Sequence, residues 1–129
     1  AVALLNKAAA VDPRHPAVHL NLGMALAEQS KMEASERHFR AALSADPALA
    51  QAAYNLGVLL SRKGAAEEGV GWCRKAAELQ PHNASYVYTY AYYLVALGRK
   101  QEAAAALQAA VARGVSTDEI RALLAGLRQ

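Results

Sequence analysis

Apolar positions along this chain recur at helical spacing in short segments, each interrupted by glycine or proline. Residues 50–83 show the plan most plainly: two amphipathic stretches split near Gly64 and stop at Pro81. The same plan precedes and follows them, and it predicts helices over 16–29, 32–45, 50–63, 66–79, 84–97 and 100–112. A last stripe at i, i+3, i+4, i+7 spacing, Ile120, Leu123, Leu124 and Leu127, follows Ser116, Thr117, Asp118 and Glu119. The Ser116 and Glu119 spacing fits a capping box. That segment reads as a final helix covering the open end of a stack.

The prolines give the period. Pro13, Pro47 and Pro81 stand 34 residues apart, and other columns keep that step: Asn21 and Asn55; Gly23, Gly57 and Ala91; Leu26, Leu60 and Leu94. Leu5, Phe39, Cys73 and Leu107 form a further column, as do Ala8, Ala42, Ala76 and Ala110. Independent columns agreeing on one period define a repeat array. The expected fold is all-α, an α-solenoid of antiparallel helix pairs in a single array over 1–129. It divides into a half unit at 1–15, full units at 16–49, 50–83 and 84–117, and a capping helix at 118–129. Leu5 and Ala8 belong to the second helix of that half unit, which looks excised at its N-terminal end.

Within each unit, Gly23, Gly57 or Ala91 faces Ser35, Gly69 or Ala103 of the partner helix, so the two backbones approach closely. Leu26, Leu60 and Leu94 fill one side of that seam, and Phe39, Cys73 and Leu107 the other. Gly64 and Gly98 suit the turn between helices, where a left-handed backbone costs glycine little. Each proline ends a second helix by removing a donor and restricting the residue before it.

Composition narrows the function classes. Of 129 residues, 54% are apolar and 19% charged, which excludes a disordered tail. No apolar run approaches the ~20 residues of a membrane span, so a soluble chain without membrane insertion is expected. The lone Cys73 has no disulfide partner and leans toward a reducing compartment such as the cytoplasm, with no targeting segment in sight. The net charge of +3 is too mild to imply nucleic acid.

With Asn55, Leu56 and Gly57, then Gly64, Ala76 and Pro81 at these offsets, the chain resembles the tetratricopeptide repeat family over nearly its whole length. His19, Ala53 and Val87 stand where the family favours tryptophan, Leu26, Leu60 and Leu94 where it favours tyrosine, and Cys73 where it favours an aromatic ring. The resemblance implies a right-handed superhelix whose first helices line a groove that takes a protein or peptide. Projected onto this sequence, the groove carries Leu20, Asn21 and Met24, then Tyr54, Asn55 and Val58, then Tyr88, Thr89 and Tyr92. Asn21 and Asn55 recur once per unit, so their amides form a seam able to hold a peptide main chain. In a co-chaperone subclass, lysine and arginine in this groove clamp a terminal carboxylate. The matching columns here hold Ala17, Leu20, Ser85 and Thr89, so that charge clamp lacks its cations. Arg37, Arg40, Arg74 and Lys75 sit on second helices, and only Arg62 and Glu28 approach the groove rim.

Other residues invite sharper readings. In residues 86–93, Tyr88 and Tyr92 extend the groove column, while Tyr86, Tyr90 and Tyr93 share a face expected to pack against neighbouring helices. His15 and His19 have metal-compatible i, i+4 spacing but no third ligand nearby, so structural or solvated histidines are expected. Cys73 reads as a small buried hydrophobe, and Trp72 as packing or a partly exposed anchor on the second-helix face. No phosphate loop or catalytic triad appears, and the acidic pair Glu67 and Glu68 begins a second helix, where negative charge favours the dipole, so neither enzyme activity, metal nor cofactor is expected. The reading is a non-catalytic interaction scaffold. Its alternative is a structural, self-associating or regulatory segment of a larger multidomain enzyme or assembly, with the groove filled by the parent chain or another copy; the exposed N-terminal half unit offers a surface for self-association.

Overall fold

The computed structural model describes residues 15–128. Seven helices and no strand occur among the described residues: α1 (Pro16–Glu28), α2 (Met32–Ala45), α3 (Ala50–Arg62), α4 (Ala66–Leu79), α5 (Ala84–Ala96), α6 (Lys100–Ala112) and α7 (Asp118–Leu127). The ends of α1–α6 agree with the sequence periodicity to within one residue, and α7 stops at Leu127. The half unit at 1–15 lies outside the described residues, His15 apart. Each helix packs on its chain neighbours, while α1 also reaches α3 and α5 reaches α7. This is an all-α helical solenoid.

Helices of 13 or 14 residues are marginal alone in water. Most here also lack a side-chain cap. The exceptions are α5, where Asn83 Oδ1 accepts from Tyr86 N at 3.2 Å, and α7, where Thr117 Oγ1 accepts from Ile120 N at 3.2 Å. The cap of α7 is therefore Thr117 and not Ser116, whose hydroxyl meets Arg121 instead. Packing must hold the rest, and it does so around two clusters. One gathers Leu20, Phe39, Leu43, Leu56, Leu59 and Leu60; the other gathers Val70, Val87, Leu94, Leu107, Ile120 and Leu124. Each fully buried side chain of this kind stabilises the fold by ~1.5–3 kcal/mol.

Seam and turns repeat with the period. A Cβ built on Gly57 would lie 2.8 Å from Gly69 O and 2.9 Å from Cys73 N, so α3 and α4 touch backbone to backbone. In the preceding pair the contact is a hydrogen bond, Ser35 Oγ donating to Gly23 O at 2.6 Å. The turns close with N–H groups of Lys31, Ala65 and Arg99 donating to Leu26, Leu60 and Leu94 at 2.8–2.9 Å. Such closures place the preceding residue in the left-handed region. Gly64 and Gly98 occupy it at φ +94° and +78°, and Ser30 occupies it at +62° without glycine's freedom.

Charged side chains tie adjacent helix pairs together. Lys63 Nζ reaches Glu36 and Glu33 of α2 at 2.7 and 3.2 Å, Arg40 reaches Glu68 of α4 at 2.8 Å, and Arg99 reaches Glu67 at 3.2 Å. These cations are part-exposed and at the same time bridge neighbouring helix pairs. The hydrogen bonds from Lys63 and Arg40 hold the Glu36 carboxyl below its ordinary value.

Candidate functional site

Four of the expected groove residues converge. Met24 of α1 and Tyr54, Asn55 and Val58 of α3 line one cavity of about 310 Å³, together with Ala27, Glu28, Phe39, Leu59 and Arg62. Helical spacing explains the convergence, since 54, 58 and 62 fall on one face of α3 and 24 and 28 on one face of α1. Glu28 and Arg62 form no ion pair with a described residue, and both are exposed at the rim. Gln51 Nε2 contacts Met24 Sδ at 3.8 Å beside them.

Asn55 is the notable polar group. Its Nδ2 is buried and has no hydrogen-bond partner. A buried donor left unmade costs ~1–3 kcal/mol, so this amide has an unmet demand for an acceptor.

Aromatic rings continue the surface onto α5. Tyr54 stacks on Tyr86 with centroids 4.7 Å apart, and its Oη lies 3.2 Å from Thr89 Oγ1. Tyr88 stacks on Tyr92 at 6.2 Å, and Tyr92 is 53% exposed. Tyr88 also borders a second cavity of about 340 Å³ with Ala84, Ser85, Thr117 and Glu119. Tyr86, Tyr90 and Tyr93 pack into the core clusters as their face predicted, and burial pushes all three phenols up from their ordinary value.

Two expected groove positions stand elsewhere. Leu20 is only 6% exposed and belongs to the core with Phe39 and Leu56, because that side of α1 is enclosed by both α2 and α3. It backs the wall and does not form it. Asn21 is exposed and outside the cavity that encloses Asn55, so the two amides meet different surroundings.

Groups suited to chemistry are scarce. Cys73 is fully buried, and burial pushes its thiol up to about 12, out of range for a nucleophile at neutral pH. The side chain of His19 meets His38 of α2, with the two Nδ1 atoms 3.0 Å apart. His38 carried no periodic signal and was missed. Its pKa is lowered by burial, then by His19 and Arg37. Among the described residues no cluster of three metal-ligating side chains occurs, and no helix is long and apolar enough to cross a membrane.

A helical solenoid presenting an open aromatic and aliphatic face defines the class of repeat scaffolds. Within that class, the tetratricopeptide repeat family model matches residues 1–50 and 29–84, and the chain belongs to that family. Such arrays generally serve as non-catalytic interaction scaffolds. Among solved structures, YrrB, described as a TPR protein with an unusual peptide-binding site, superposes with a TM-score of 0.81 at 23% identity, over 96% of this chain and 64% of its own. A MamA RS-1 double mutant gives 0.77 at 21% identity, over 95% and 63%. MamA from residue 41 onward, from Desulfovibrio magneticus RS-1, gives 0.77 at 23%, over 91% and 66%. At these identities the likeness is one of fold, and this chain spans less than two thirds of each neighbour. No curated protein sequence gives a match.

Proposed function

We propose that the chain is a non-catalytic scaffold that holds a peptide segment of a partner protein along its first-helix face. The supporting observation is the unpartnered Asn55 Nδ2 at a cavity walled by Met24, Tyr54 and Val58. A main-chain carbonyl of the peptide accepts from Asn55, while apolar side chains cover Met24 and Val58. Further along, the exposed Tyr92 and its stacked neighbour Tyr88 extend the contact. Asn21, exposed one repeat earlier, continues the seam toward α1. The binding of a peptide by the similarly folded YrrB is consistent with this reading.

Affinity rests mainly on apolar burial, because each amide bond contributes only ~0.5–1.5 kcal/mol net. A peptide selected from a random display library serves as probe, with its dissociation constant measured by titration calorimetry. Asn55→Ala is expected to weaken binding about tenfold with an unchanged circular dichroism spectrum. Undiminished binding by a folded Asn55→Ala protein removes Asn55 from the site.

A further inference from the structure

The first-helix face gives no role to Trp72. On the second-helix side, α2 and α4 enclose a cavity of about 280 Å³ lined by Arg40, Leu43, Ser44, Pro47, Trp72 and Lys75. One repeat later the matching positions, Arg74, Ala77, Glu78, Pro81, Ala106 and Ala109, line a cavity of their own. The later cavity is an internal control built on the same frame. Trp72 and Lys75 stand where it has two alanines, and Ser44 stands where it has Glu78. In the later cavity Glu78 pairs with Arg74 at 3.1 Å, so a carboxylate already occupies the rim. Ser44 leaves the earlier lining itself without a carboxylate, and those that meet Arg40, Glu36 and Glu68, stand outside it.

Charge is distributed unevenly around the earlier cavity. Arg40 is held by Glu36 at 2.9 Å and Glu68 at 2.8 Å. Lys75 forms no ion pair with a described residue; its Nζ lies 5.8 Å from the Trp72 ring centroid. An ammonium without a carboxylate partner among the described residues thus stands over an aromatic wall. A volume near 280 Å³ falls below the roughly 300–1,000 Å³ of small-molecule sites, yet it holds one leucine or phenylalanine side chain.

We propose that this cavity is a second binding site, which takes one bulky apolar side chain of an acidic peptide segment, with a neighbouring carboxylate of that segment paired to Lys75. The apolar side chain lies against Trp72, Leu43 and Pro47. An acidic flank is selected over a basic one because the available charge at the rim is positive.

Trp72 is the only tryptophan in the sequence and reports on its own cavity. The probe is an acetylated, amidated Glu-Glu-Phe-Glu-Glu peptide, with emission excited at the red edge where tyrosine does not absorb. A saturable blue shift is expected. Replacing the probe's glutamates by lysines, or Lys75 by glutamate in the protein, is expected to weaken binding about tenfold, as attraction turns into repulsion. Lys75 is part-exposed and makes no ion pair with a described residue, so Lys75→Glu is expected to keep the helical spectrum of the parent. Asn55→Ala, which addresses the first-helix face, is expected to leave this titration unchanged. The proposal is overturned by an absent shift, by equal response to the basic peptide, or by an undiminished response in Lys75→Glu. It is equally overturned if emission follows protein concentration alone, which makes the occupant a second copy.

Discussion

Tyr54 and Thr89 meet across adjacent helix pairs, Oη to Oγ1 at 3.2 Å, while the Tyr54 ring lies against Tyr86. One side chain thereby forms part of the candidate groove and also joins α3 to α5. Removing only the hydroxyl, Tyr54→Phe, is expected to cost about 1 kcal/mol with the ring stack retained. A double-mutant cycle with Thr89→Val, read by urea denaturation, checks the pair. A coupling energy near zero means the hydroxyls do not meet in solution.

The α3–α4 seam sets a stricter test. At Gly57 an added methyl meets the backbone atoms Gly69 O and Cys73 N, neither of which moves without displacing a helix. Gly57→Ala is expected to destabilise the array by more than about 2 kcal/mol, against the ~1 kcal/mol that favours alanine in an open helix. Gly71 has open space around its missing Cβ, so Gly71→Ala is expected to be neutral or stabilising. Thermal melts of the two variants make the comparison.

Ser30 carries a left-handed backbone in the turn where the next two units use glycine. Ser30→Gly is expected to relieve that strain and raise stability by ~0.5–1 kcal/mol, after glycine's larger unfolded-state entropy is offset. A melting temperature that does not rise counts against the strain.

Stability is expected to fall in two stages on acidification. His38 has a pKa below its ordinary 6.5, so its neutral form belongs to the folded state, and stability is lost as pH drops below 6.5 toward the folded value. Glu36 and Glu102 have pKa values below 4.5, so their ion-paired contribution is complete above 4.5 and is lost as pH falls through the depressed values. Urea midpoints followed against pH locate both stages. His38→Gln is expected to erase the first and keep the second.

The periodic parts of the molecule were legible in the residues. Helix ends, the Gly57/Gly69 approach and the inward face of Tyr86, Tyr90 and Tyr93 all follow from spacing along one helix or one repeat. What spacing did not carry was the relation between units. Leu20 and Met24 lie one turn apart on α1, yet one is enclosed by α2 and α3 while the other is 38% exposed. Asn21 and Asn55 share a column, yet only Asn55 lines the cavity with Met24 and Ala27. His38 pairs with His19 across a turn, and Arg40, Lys63 and Arg99 find carboxylates on neighbouring helices. Each of these depends on how far one pair is turned against the next, which a column of matching letters leaves open.

The ionic links from Lys63, Arg40 and Arg99 join only neighbouring helix pairs, as does the packing itself. A lattice coupled only to its nearest neighbours loses its most weakly braced units first, rung by rung. Amide exchange is therefore expected to be slowest in α3 and α4, which have partners on both sides, and faster toward α7. Asn55 of α3 and Trp72 of α4 share that pair, so slow exchange there is expected to leave both proposed peptide contacts already rigid.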